Sequence, residues 1–456
     1  MNIIVIGDVI LDINKFCEIK RTIAGKNIPI YNVLKTENIL GGAANVANNL
    51  HNLDRRKCIV ELVSVIGNDR EGENLKCIMN DKNIKHKLFI DRTRNTTVKT
   101  RIFNNHDDNI DILSRSDVED TIDIDCEIED QIIKYIFSVE NIHAIVFSDY
   151  NNGVLTEKIC RVLIDYSNKH GIYTFVDPKI KNTSKYRDCF CIKPNLKEGI
   201  HMTNKTNIHE IITSIKDIIQ CKHVLLTCDK EGMYIDDASN HIRNKKNIGI
   251  VDVTGCGDVV LSTFVFCFLQ NNDVIKSAKI SNYVANKSLQ NIGNYLTSIN
   301  DIEEYVDTVI LETDIDKIYR IREQNKQIVF TNGCFDVIHS GHTRLLQFAR
   351  SLGDILIVAI NSDNSVRRLK GDDRPINGIE ERCNMLLSLN IIDYIIIFDS
   401  STPFSIMELL KPNIMVKGGD YKKENVVGKE FTKEVVIYNY IDGLSTTNTI
   451  LKIKKI

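Results

Sequence analysis

The sequence lacks several features that mark common classes of protein. Its 456 residues include no tryptophan, its net charge is −3, and its basic residues are scattered rather than gathered into a stripe. Proteins that bind nucleic acid or anionic membranes electrostatically need a basic face. The longest apolar run, residues 259–269, is too short to span a bilayer, which takes about 20 apolar residues. We therefore expect no nucleic-acid partner and no membrane partner.

The chain also lacks the cysteine spacings of zinc sites and redox pairs. Its 13 cysteines include no C-x-x-C, and the closest pair is Cys189 and Cys191. The odd number and the scatter favour free thiols in a reducing compartment. The opening MNIIVIGDVILD is typical of a buried strand rather than of a signal peptide. We expect a soluble cytoplasmic protein.

No linker rich in proline or glycine separates domains, so the boundary has to come from the order of elements. The length suits about three domains, or two large α/β domains, and 43% hydrophobic residues are ample for their cores. Residues 301–325 are charged and helix-forming. We place a first domain at 1–300, a helical linker at 301–325 and a second domain at 326–456.

In the first domain, short apolar strands repeatedly end in polar residues and are followed by helical patterns. This rhythm predicts a parallel sheet that binds ligands beyond the carboxyl ends of its strands. Asp8 and Asp12 follow the first strand and are candidate substrate contacts, although they could equally cap a loop. Alternating residues at 95–117 indicate exposed antiparallel strands, and we interpret these together with residues 14–36 as a small β lid on the main sheet.

Two glycine-rich segments of this domain precede helical patterns. Gly42 lies in GGAAN ahead of Asn45, and Gly255 and Gly257 lie in DVTGCGD ahead of an apolar helix. Glycines at a helix start leave backbone N–H groups free to bind a phosphate. Asp258, just inside the helix, could take a proton from an incoming hydroxyl group. The alternative is an ordinary helix-capping aspartate.

These segments, together with DPK at 177–179 and KPNLKE at 193–198, give residues 1–300 a resemblance to the ribokinase-like carbohydrate kinases. The resemblance implies that Asp258 is the catalytic base and that Mg²⁺ arrives with ATP, with Glu198 acting on the metal indirectly. Consistent with that family, there is no Walker A sequence. Cys256 replaces the family's usual alanine. The implied substrate-binding residues are Asp8, Asp12, Gly42 and Asn45, and the implied ATP- or phosphate-binding residues are Asn195, Glu198, Thr227, Gly232, Gly255, Cys256, Gly257 and Asn286.

The second domain contains TNGCFDVIHSGH, residues 331–342, in which a β-branched run ends in a glycine turn. His339 and His342 then stand at a helix start, where unpartnered amides carry partial positive charge and favour an anion. A zinc site is the alternative, but no third ligand occurs at metal spacing. The segment by itself predicts a phosphate site.

The same segment, with KGGD at 417–420 and GLSTT at 443–447, gives residues 326–456 a resemblance to the cytidylyltransferase-like nucleotidyltransferases. The resemblance implies a Rossmann-like domain in which His339 and His342 stabilise phosphate charge. Asp336 and Asp420 could instead be loop caps, and Lys417 could be a solvated charge. The implied nucleotide- or phosphate-binding residues are Asn332, Gly333, Phe335, Asp336, Lys370, Arg382, Lys417, Asp420, Ser445 and Thr446.

The order of the two halves, with NSD at 361–363 and RLKGDDRP at 368–375, resembles the family of bifunctional heptose-phosphate kinase/adenylyltransferases over nearly the whole chain. That resemblance implies phosphorylation of heptose 7-phosphate at its anomeric hydroxyl, and adenylyl transfer from ATP to heptose 1-phosphate to give ADP-heptose and pyrophosphate. It also implies a homodimer. The alternatives are another sugar phosphate, CTP in place of ATP, or one half kept as a non-catalytic module.

Two segments on the sugar side depart from that family. Its S-P-E-A-P-V-P reads IAGKNIP at 23–29, and its S-D-Y-x-K-G reads SDYNNG at 148–153, without the lysine. Each change removes a charged group from the substrate side. The identity of the sugar therefore stays open at this point.

Overall fold

The computed structural model describes residues 1–22, 29–54, 58–104, 112–244, 252–291, 293–305, 307–389, 391–419 and 422–438. By their contacts they divide into two compact units, Met1–Glu303 and Glu304–Ile456. Each unit is an α/β fold built on a mainly parallel sheet, as the sequence predicts.

In the first unit, the strands of the main sheet alternate along the chain with the strands of the lid. Its strands are β1 (Asn2–Gly7), β2 (Val9–Thr22), β3 (Pro29–Gly42), β4 (Ile59–Gly67), β5 (Lys85–Asp91), β6 (Val98–Asn104), β7 (Ile112–Val118), β8 (Ala144–Ser148), β9 (Tyr173–Asp177), β10 (Cys191–Ile192), β11 (His223–Thr227), β12 (Met233–Ile235) and β13 (His241–Ile242). Its helices are α1 (Ala43–Leu53), α2 (Arg70–Asp81), α3 (Cys126–Phe137), α4 (Glu157–His170), α5 (Leu196–Thr203), α6 (Ile208–Ile219), α7 (Cys256–Asn271), α8 (Val274–Ser288) and α9 (Ile299–Glu303).

The main sheet has the strand order β13-β12-β11-β10-β9-β8-β1-β4-β5, parallel from β11 to β5 and antiparallel at β12 and β13. The apolar residues of β1 and β8 are fully buried, as expected for strands covered on both faces. The carboxyl ends of β1, β8, β9 and β11 therefore meet at one edge, and the polar residues that follow them are brought together there.

The lid is a separate sheet with the order β3-β2-β6-β7. Strand β2 begins two residues after β1 ends, so the lid grows directly out of the edge where the polar residues gather. Its pairings are antiparallel for β2 with β3 and β6 with β7, and parallel for β2 with β6. The predicted β lid is confirmed.

The second unit is a parallel sheet with helices packed on both faces. Its strand order is β14-β17-β16-β15-β18-β19, and each described pairing is parallel. Successive residues of β15 pack into different cores, Val329 on one face and Phe330 on the other. Its strands are β14 (Val309–Leu311), β15 (Ile328–Gly333), β16 (Ile355–Asn361), β17 (Tyr394–Phe398), β18 (Ile414–Gly418) and β19 (Glu434–Tyr438), and its helices are α10 (Ile315–Arg322), α11 (Ser340–Ser351), α12 (Asp363–Lys370), α13 (Ile379–Ser388) and α14 (Phe404–Leu410).

Residues 301–325 do not form a separate helical linker. Strand β14 pairs with β17 at an edge of the second sheet, and Ile318 and Ile321 of α10 are buried in the core of the second unit. A three-residue strand between charged residues is too short to show a period, so the sequence pattern does not reveal it.

All 13 cysteines are free thiols. Within the described ranges, no helix combines the length and the apolar character needed to cross a bilayer.

Candidate functional site

Asp258 lies in the first turn of α7 with its carboxylate enclosed by two side-chain donors. The Asn45 Nδ2 group donates to Oδ2 at 2.7 Å, and the Tyr150 hydroxyl donates to Oδ1 at 2.8 Å. Burial raises the pKa of Asp258 to about 6, although both donors act to lower it. At neutral pH the group is therefore an ionised, desolvated carboxylate, which is suited to accept a proton from a hydroxyl group.

The backbone just before Asp258 forms a nest for an anion. Gly255 has φ 71°, and a Cβ there would lie 2.7 Å from Oδ1 of Asn294 and 3.1 Å from Nδ2 of Asn45. The residue must be glycine because both the left-handed backbone and the close neighbours exclude a side chain. The first N–H groups of α7, at Gly257 and Asp258, have no acceptor within the helix by their position. They carry the partial positive charge that binds phosphate.

Lys193 provides a cation at this nest. Its ammonium lies 3.6 Å from the place where a Cβ on Gly257 would stand, and 3.0 Å from Oδ2 of Asp177. Burial acts to lower the pKa of Lys193, but the carboxylates of Asp177 and Glu198 outweigh it and the pKa is raised. Lys193 is the first residue of the KPNLKE segment, yet its role was missed because the sequence alone does not show where its ammonium lies.

The residues predicted for the sugar side divide into two groups. Asp12 faces the site: its Oδ1 accepts from Nη1 of Arg101 at 2.7 Å, and its Oδ2 accepts from Nδ2 of Asn294 at 3.4 Å. Asn294 thus connects Asp12 to the nest at Gly255. Asn294 and Arg101 were missed, since neither stands in a recognised segment.

Asp8 and Gly42 are structural at this edge. Asp8 is buried, and its carboxylate accepts backbone N–H groups from Tyr150, Asn152 and Val154 at 2.7–3.1 Å. Burial raises the pKa of Asp8 to about 6. A Cβ on Gly42 would lie 2.4 Å from the carbonyl oxygen of Asp8. Asp8 therefore has the loop-capping role that the sequence left open, and its contact with the substrate stays a prediction.

Asn195 and Glu198 form a capping box at the start of α5. Asn195 Oδ1 accepts from the Glu198 N–H, and Glu198 Oε2 accepts from the Asn195 N–H, both at 2.9 Å. Glu198 Oε1 accepts from the Lys179 ammonium at 3.0 Å. Both oxygens of Glu198 therefore have protein donors.

The other predicted nucleotide positions lie further along the same edge. Thr227 ends β11 and is bridged to Asn195, and Gly232 has φ 92°. A Cβ on Gly232 would lie 2.1 Å from the carbonyl oxygen of Ile242, so the position requires glycine. Cys256 is half-buried at the nest, and Asn286 is buried in α8.

In the second unit, His339 and His342 cap α11 reciprocally. Nδ1 of His339 accepts from the Gly341 N–H at 3.2 Å, and Nδ1 of His342 accepts from the His339 N–H at 3.4 Å. The rings stack with centroids 3.9 Å apart. Because Nδ1 accepts in both rings, the neutral imidazoles carry their protons on Nε2 and can donate them to a phosphate.

Both histidines are neutral at physiological pH. Burial lowers the pKa of His339, and burial with His339 and Lys370 nearby lowers that of His342 to about 4. At this pH each ring can therefore offer an N–H donor but no positive charge, which has to come from other side chains.

Two lysines supply that charge. Lys417 is buried at the end of β18, and its ammonium donates to Oδ1 of Asn332 at 2.5 Å. Burial lowers the pKa of Lys417 to about 8, which does not fit a solvated surface charge. Lys370 is exposed at the end of α12 and lies close enough to act on the pKa of His342.

The glycine turn between Asn332 and the histidines is shaped by an aromatic ring. Phe335 is buried with φ 48°, and its ring centroid lies 5.1 Å from that of His342. A Cβ on Gly333 would lie 3.2 Å from this ring. Gly333 therefore leaves room for Phe335 to support the histidine.

Asp336 and Arg382 make hydrogen bonds within the fold, to loops that surround the site. Asp336 is buried and accepts from the N–H groups of Ile376 and Asn377 at 2.7 and 3.2 Å and from the Arg374 guanidinium. This is the loop-capping role that the sequence left open.

Arg382 has no exposed surface. It donates to the carbonyl oxygens of Cys334, Asn361 and Asn377 at 2.7–3.1 Å and to the carboxylate of Asp363 at 2.6 Å. The predicted phosphate contact for Arg382 is wrong, because its guanidinium is used inside the fold.

Four predictions lie outside the described residues. They concern Asp420, Ser445 and Thr446 of the second domain, and the departing lid segment at 23–28 of the first.

Two protein families match this chain, one over each of the two parts that contain a candidate site. Residues 1–300 match the family described as pfkB family carbohydrate kinase, and residues 330–446 match the family described as cytidylyltransferase-like. The fold of the first unit is similar to phosphofructokinase-2 from Escherichia coli, with a TM-score of 0.55 over 67% of this chain and 98% of that one. The sequence identity there is 16%, so this likeness supports the fold alone.

Full-length relatives cover both units in one alignment. The protein from Aliarcobacter butzleri is 33% identical over 471 residues, covering 100% of this chain and 98% of the relative. That from Helicobacter acinonychis is 35% identical over 464 residues, covering 99% and 98%. That from Campylobacter jejuni subsp. jejuni is 34% identical over 461 residues, covering 99% and 97%. All three are named bifunctional protein HldE.

Proposed function

The chain belongs to the pfkB family of carbohydrate kinases and, over its whole length, to the HldE family of bifunctional proteins, and on this basis we propose that it carries out two successive steps of ADP-heptose synthesis. It is an enzyme with a sugar kinase and a nucleotidyltransferase domain. The first reaction phosphorylates heptose 7-phosphate at the anomeric hydroxyl with ATP. The second transfers an adenylyl group from ATP to heptose 1-phosphate, after separate removal of the 7-phosphate. We propose the two compact units, Met1–Glu303 and Glu304–Ile456, as the two catalytic domains.

The observation that supports the kinase step best is the position of Asp258 beside an anion nest. The carboxylate takes the proton of the anomeric hydroxyl, whose oxygen attacks the γ-phosphorus of ATP while the bond to ADP breaks. The transferred phosphoryl group lies at the N-terminus of α7, next to Lys193. Positioning and charge stabilisation supply most of the rate in such reactions.

Mg²⁺ fits this site as a companion of ATP. No group of three metal-binding side chains occurs in the part of the chain that the structure describes, and both oxygens of Glu198 have donors. We propose that the phosphates hold the ion and that Glu198 acts on it indirectly. When bound, the ion neutralises phosphate charge.

The stacked histidines support the transferase step. The sugar 1-phosphate oxygen attacks the α-phosphorus of ATP and pyrophosphate leaves, so no protein side chain becomes covalently attached. Nε2–H groups of His339 and His342 donate to the phosphate oxygens as negative charge develops, and Lys370 and Lys417 add positive charge. Asn332 holds the Lys417 ammonium in place.

The proposal extends to assembly and location. The lid edge strand β3 exposes Val33 and Leu34, 48% and 51% accessible, which supports pairing of lids in a homodimer. A mass measurement by light scattering tests this. Thirteen free cysteines support a reducing cytoplasmic location.

Product identification tests both reactions. The full chain is incubated with ATP and a panel of sugars and sugar phosphates that includes heptose 7-phosphate, and products are identified by mass. Heptose 1-phosphate is then offered with ATP or CTP. We expect a heptose bisphosphate from the first assay, and ADP-heptose with pyrophosphate from the second. Phosphorylation of another sugar alone, or a preference for CTP, would overturn the assignment.

A further inference from the structure

One face of the kinase lid presents a polar row beside the catalytic base. In the register of β2 and β6, Asp12 lies opposite Lys99 and Asn14 lies opposite Arg101. Side chains two apart on a strand share a face, so these four groups lie on the same side of the lid. The 2.7 Å contact between Arg101 and Asp12 crosses that face diagonally.

Asn14 carries an acceptor without a donor. The residue is 6% exposed, and its Oδ1 atom is buried with no hydrogen-bond partner among the residues that the structure describes. Buried polar groups are nearly always paired, and an exception calls for an explanation such as an absent ligand. A ligand that fills this role has to donate a hydrogen bond, as a hydroxyl group does.

Lys99 places a cation over the ring of Tyr150, the tyrosine that contacts the base. Its ammonium lies 5.6 Å from the centroid of the Tyr150 ring, and the hydroxyl of that ring donates to Asp258. A molecule lying across the ring of Tyr150 can therefore contact both Asp258 and Lys99. The Lys99 side chain is 15% exposed.

The other cations of this face are more firmly committed to carboxylates. Arg115 makes two hydrogen bonds to Asp117, at 2.7 and 2.8 Å, and Arg101 is held by Asp12. Among the described residues, Lys99 makes one ion pair, at 3.1 Å with Glu119, whose side chain is 37% exposed. Because the Glu119 side chain can turn into solvent while Lys99 stays largely covered, an incoming phosphate can replace Glu119.

We propose that this lid face selects the sugar: Oδ1 of Asn14 accepts a sugar hydroxyl, and Lys99 binds a phosphate at the end of the sugar remote from the reacting hydroxyl. The substrate class is a polyhydroxylated sugar that already carries a phosphomonoester. The inference rests on the proposed kinase function and adds two residues that bind the sugar and distinguish it from other sugars. It also supplies a cation on the sugar side, where Asn152 stands in place of a lysine.

Paired variants separate the two roles. Lys99→Met and Asn14→Leu are assayed in the full chain with heptose 7-phosphate and with the unphosphorylated heptose. Lys76→Met is the matched control, since it removes a lysine–glutamate pair on α2. Loss of a charged hydrogen bond should raise the KM of Lys99→Met for the phosphorylated sugar about tenfold or more. The KM for the unphosphorylated sugar should stay unchanged.

Asn14→Leu should raise the KM for both sugars, because the hydroxyl it reads is common to them. Leucine removes an unsatisfied acceptor, so the fold should persist. In a series of monodeoxy sugar phosphates, one analogue should show a penalty with the native chain that disappears in Asn14→Leu. Equal effects of Lys99→Met on both sugars, or no analogue with that pattern, would overturn the inference. Failure of the native chain to phosphorylate heptose 7-phosphate would instead overturn the proposed function.

Discussion

The side-chain amide of Asn45 donates a 2.7 Å hydrogen bond to the carboxylate of Asp258, joining two residues 213 positions apart. The contact brings the start of α1 against the start of α7, so the glycine-rich segments GGAAN and GCGD form one site. Asn45 thereby fixes the orientation of the carboxylate that we propose as the base.

Replacing Asp258 with Asn should abolish sugar phosphorylation and leave nucleotidyl transfer intact. The amide keeps the size of the side chain but cannot accept the proton of the anomeric hydroxyl. Product formation by mass and pyrophosphate release are measured on the same preparation, so the transferase serves as the control. Phosphorylation at more than a few per cent of the native rate would show that another group is the base.

The kinase should lose activity as the pH falls through about 6. Burial raises the pKa of Asp258 to about 6, and only the ionised form accepts a proton. Tyr150 donates to this carboxylate and lowers its pKa, so Tyr150→Phe should move the acid limb of kcat/KM to higher pH. Tyr135→Phe is the control, because Tyr135 donates instead to Glu61. An acid limb at the same pH in Tyr150→Phe would contradict the contact.

Part of this site could be predicted from the sequence. The residues whose roles were predicted wrongly or left open have a physical reason in common. The β-branched strands and the GCGD and HSGH segments are local patterns, so their elements were placed correctly. Asp8, Asp336 and Arg382 were assigned to ligands because a charged residue in such a segment looks functional. Their actual partners are backbone groups of loops distant in the sequence.

The site residues that the sequence did not predict are placed by tertiary contacts. Asn294 stands in no recognised segment, while Tyr150 and Lys193 stand in SDYNNG and KPNLKE but reach the site only through the fold. Lys193 is placed by the pairing of β10 with β9, which sets its ammonium against Asp177. Prediction from sequence therefore works for segments and fails for single side chains placed by tertiary contacts.

Lys193→Met should lower kcat of the kinase about a hundredfold, because removal of one preorganised charge contact to a transferring group typically costs 10²–10³. The KM for ATP should change less, since the charge develops in the transition state. The change leaves Asp177 without its partner, so Lys193→Met/Asp177→Asn is measured in parallel to remove both charges. If both variants keep the native kcat, Lys193 makes no contact with the phosphoryl group.

His342 should titrate far below an ordinary histidine. Burial lowers its pKa to about 4, so the group remains neutral as the pH falls through 6.5, where an unfolded histidine takes up its proton. The contribution of His342 to stability is thus present above pH 6.5 and is lost as the pH falls towards 4. The chemical shift of its ring proton, followed by NMR, gives the midpoint directly. A midpoint at 6.5 or above would exclude the buried, stacked arrangement.

His342→Ala should lower adenylyl transfer about a hundredfold or more through loss of its Nε2–H donor. Sugar phosphorylation by the same preparation should be unchanged, which controls for the integrity of the chain. An unaltered yield of pyrophosphate would rule out the proposed role in charge stabilisation.

Arg382 and Lys370 form a matched pair of cations with opposite predicted effects. Arg382 is fully buried, and Arg382→Met leaves the Asp363 carboxylate and the carbonyl oxygens of Cys334 and Asn361 without their donor. Because the Asp363 side chain is 29% exposed, the cost should stay below the roughly 3–5 kcal/mol of a fully buried ion pair but exceed about 1 kcal/mol. Lys370 is exposed, so Lys370→Met should change stability by less than about 0.5 kcal/mol while slowing adenylyl transfer.

Hydrogen exchange measured by mass spectrometry distinguishes these two effects. It reports separately on peptides of the second unit, which matters because the chain has no tryptophan to serve as a fluorescent probe. Arg382→Met should increase exchange in β15 and β16, whose carboxyl ends it ties together, and Lys370→Met should leave their protection unchanged. Native protection in Arg382→Met with a loss of transfer rate would return Arg382 to the role of a phosphate ligand, because the side chain would then act on the substrate and not on the fold.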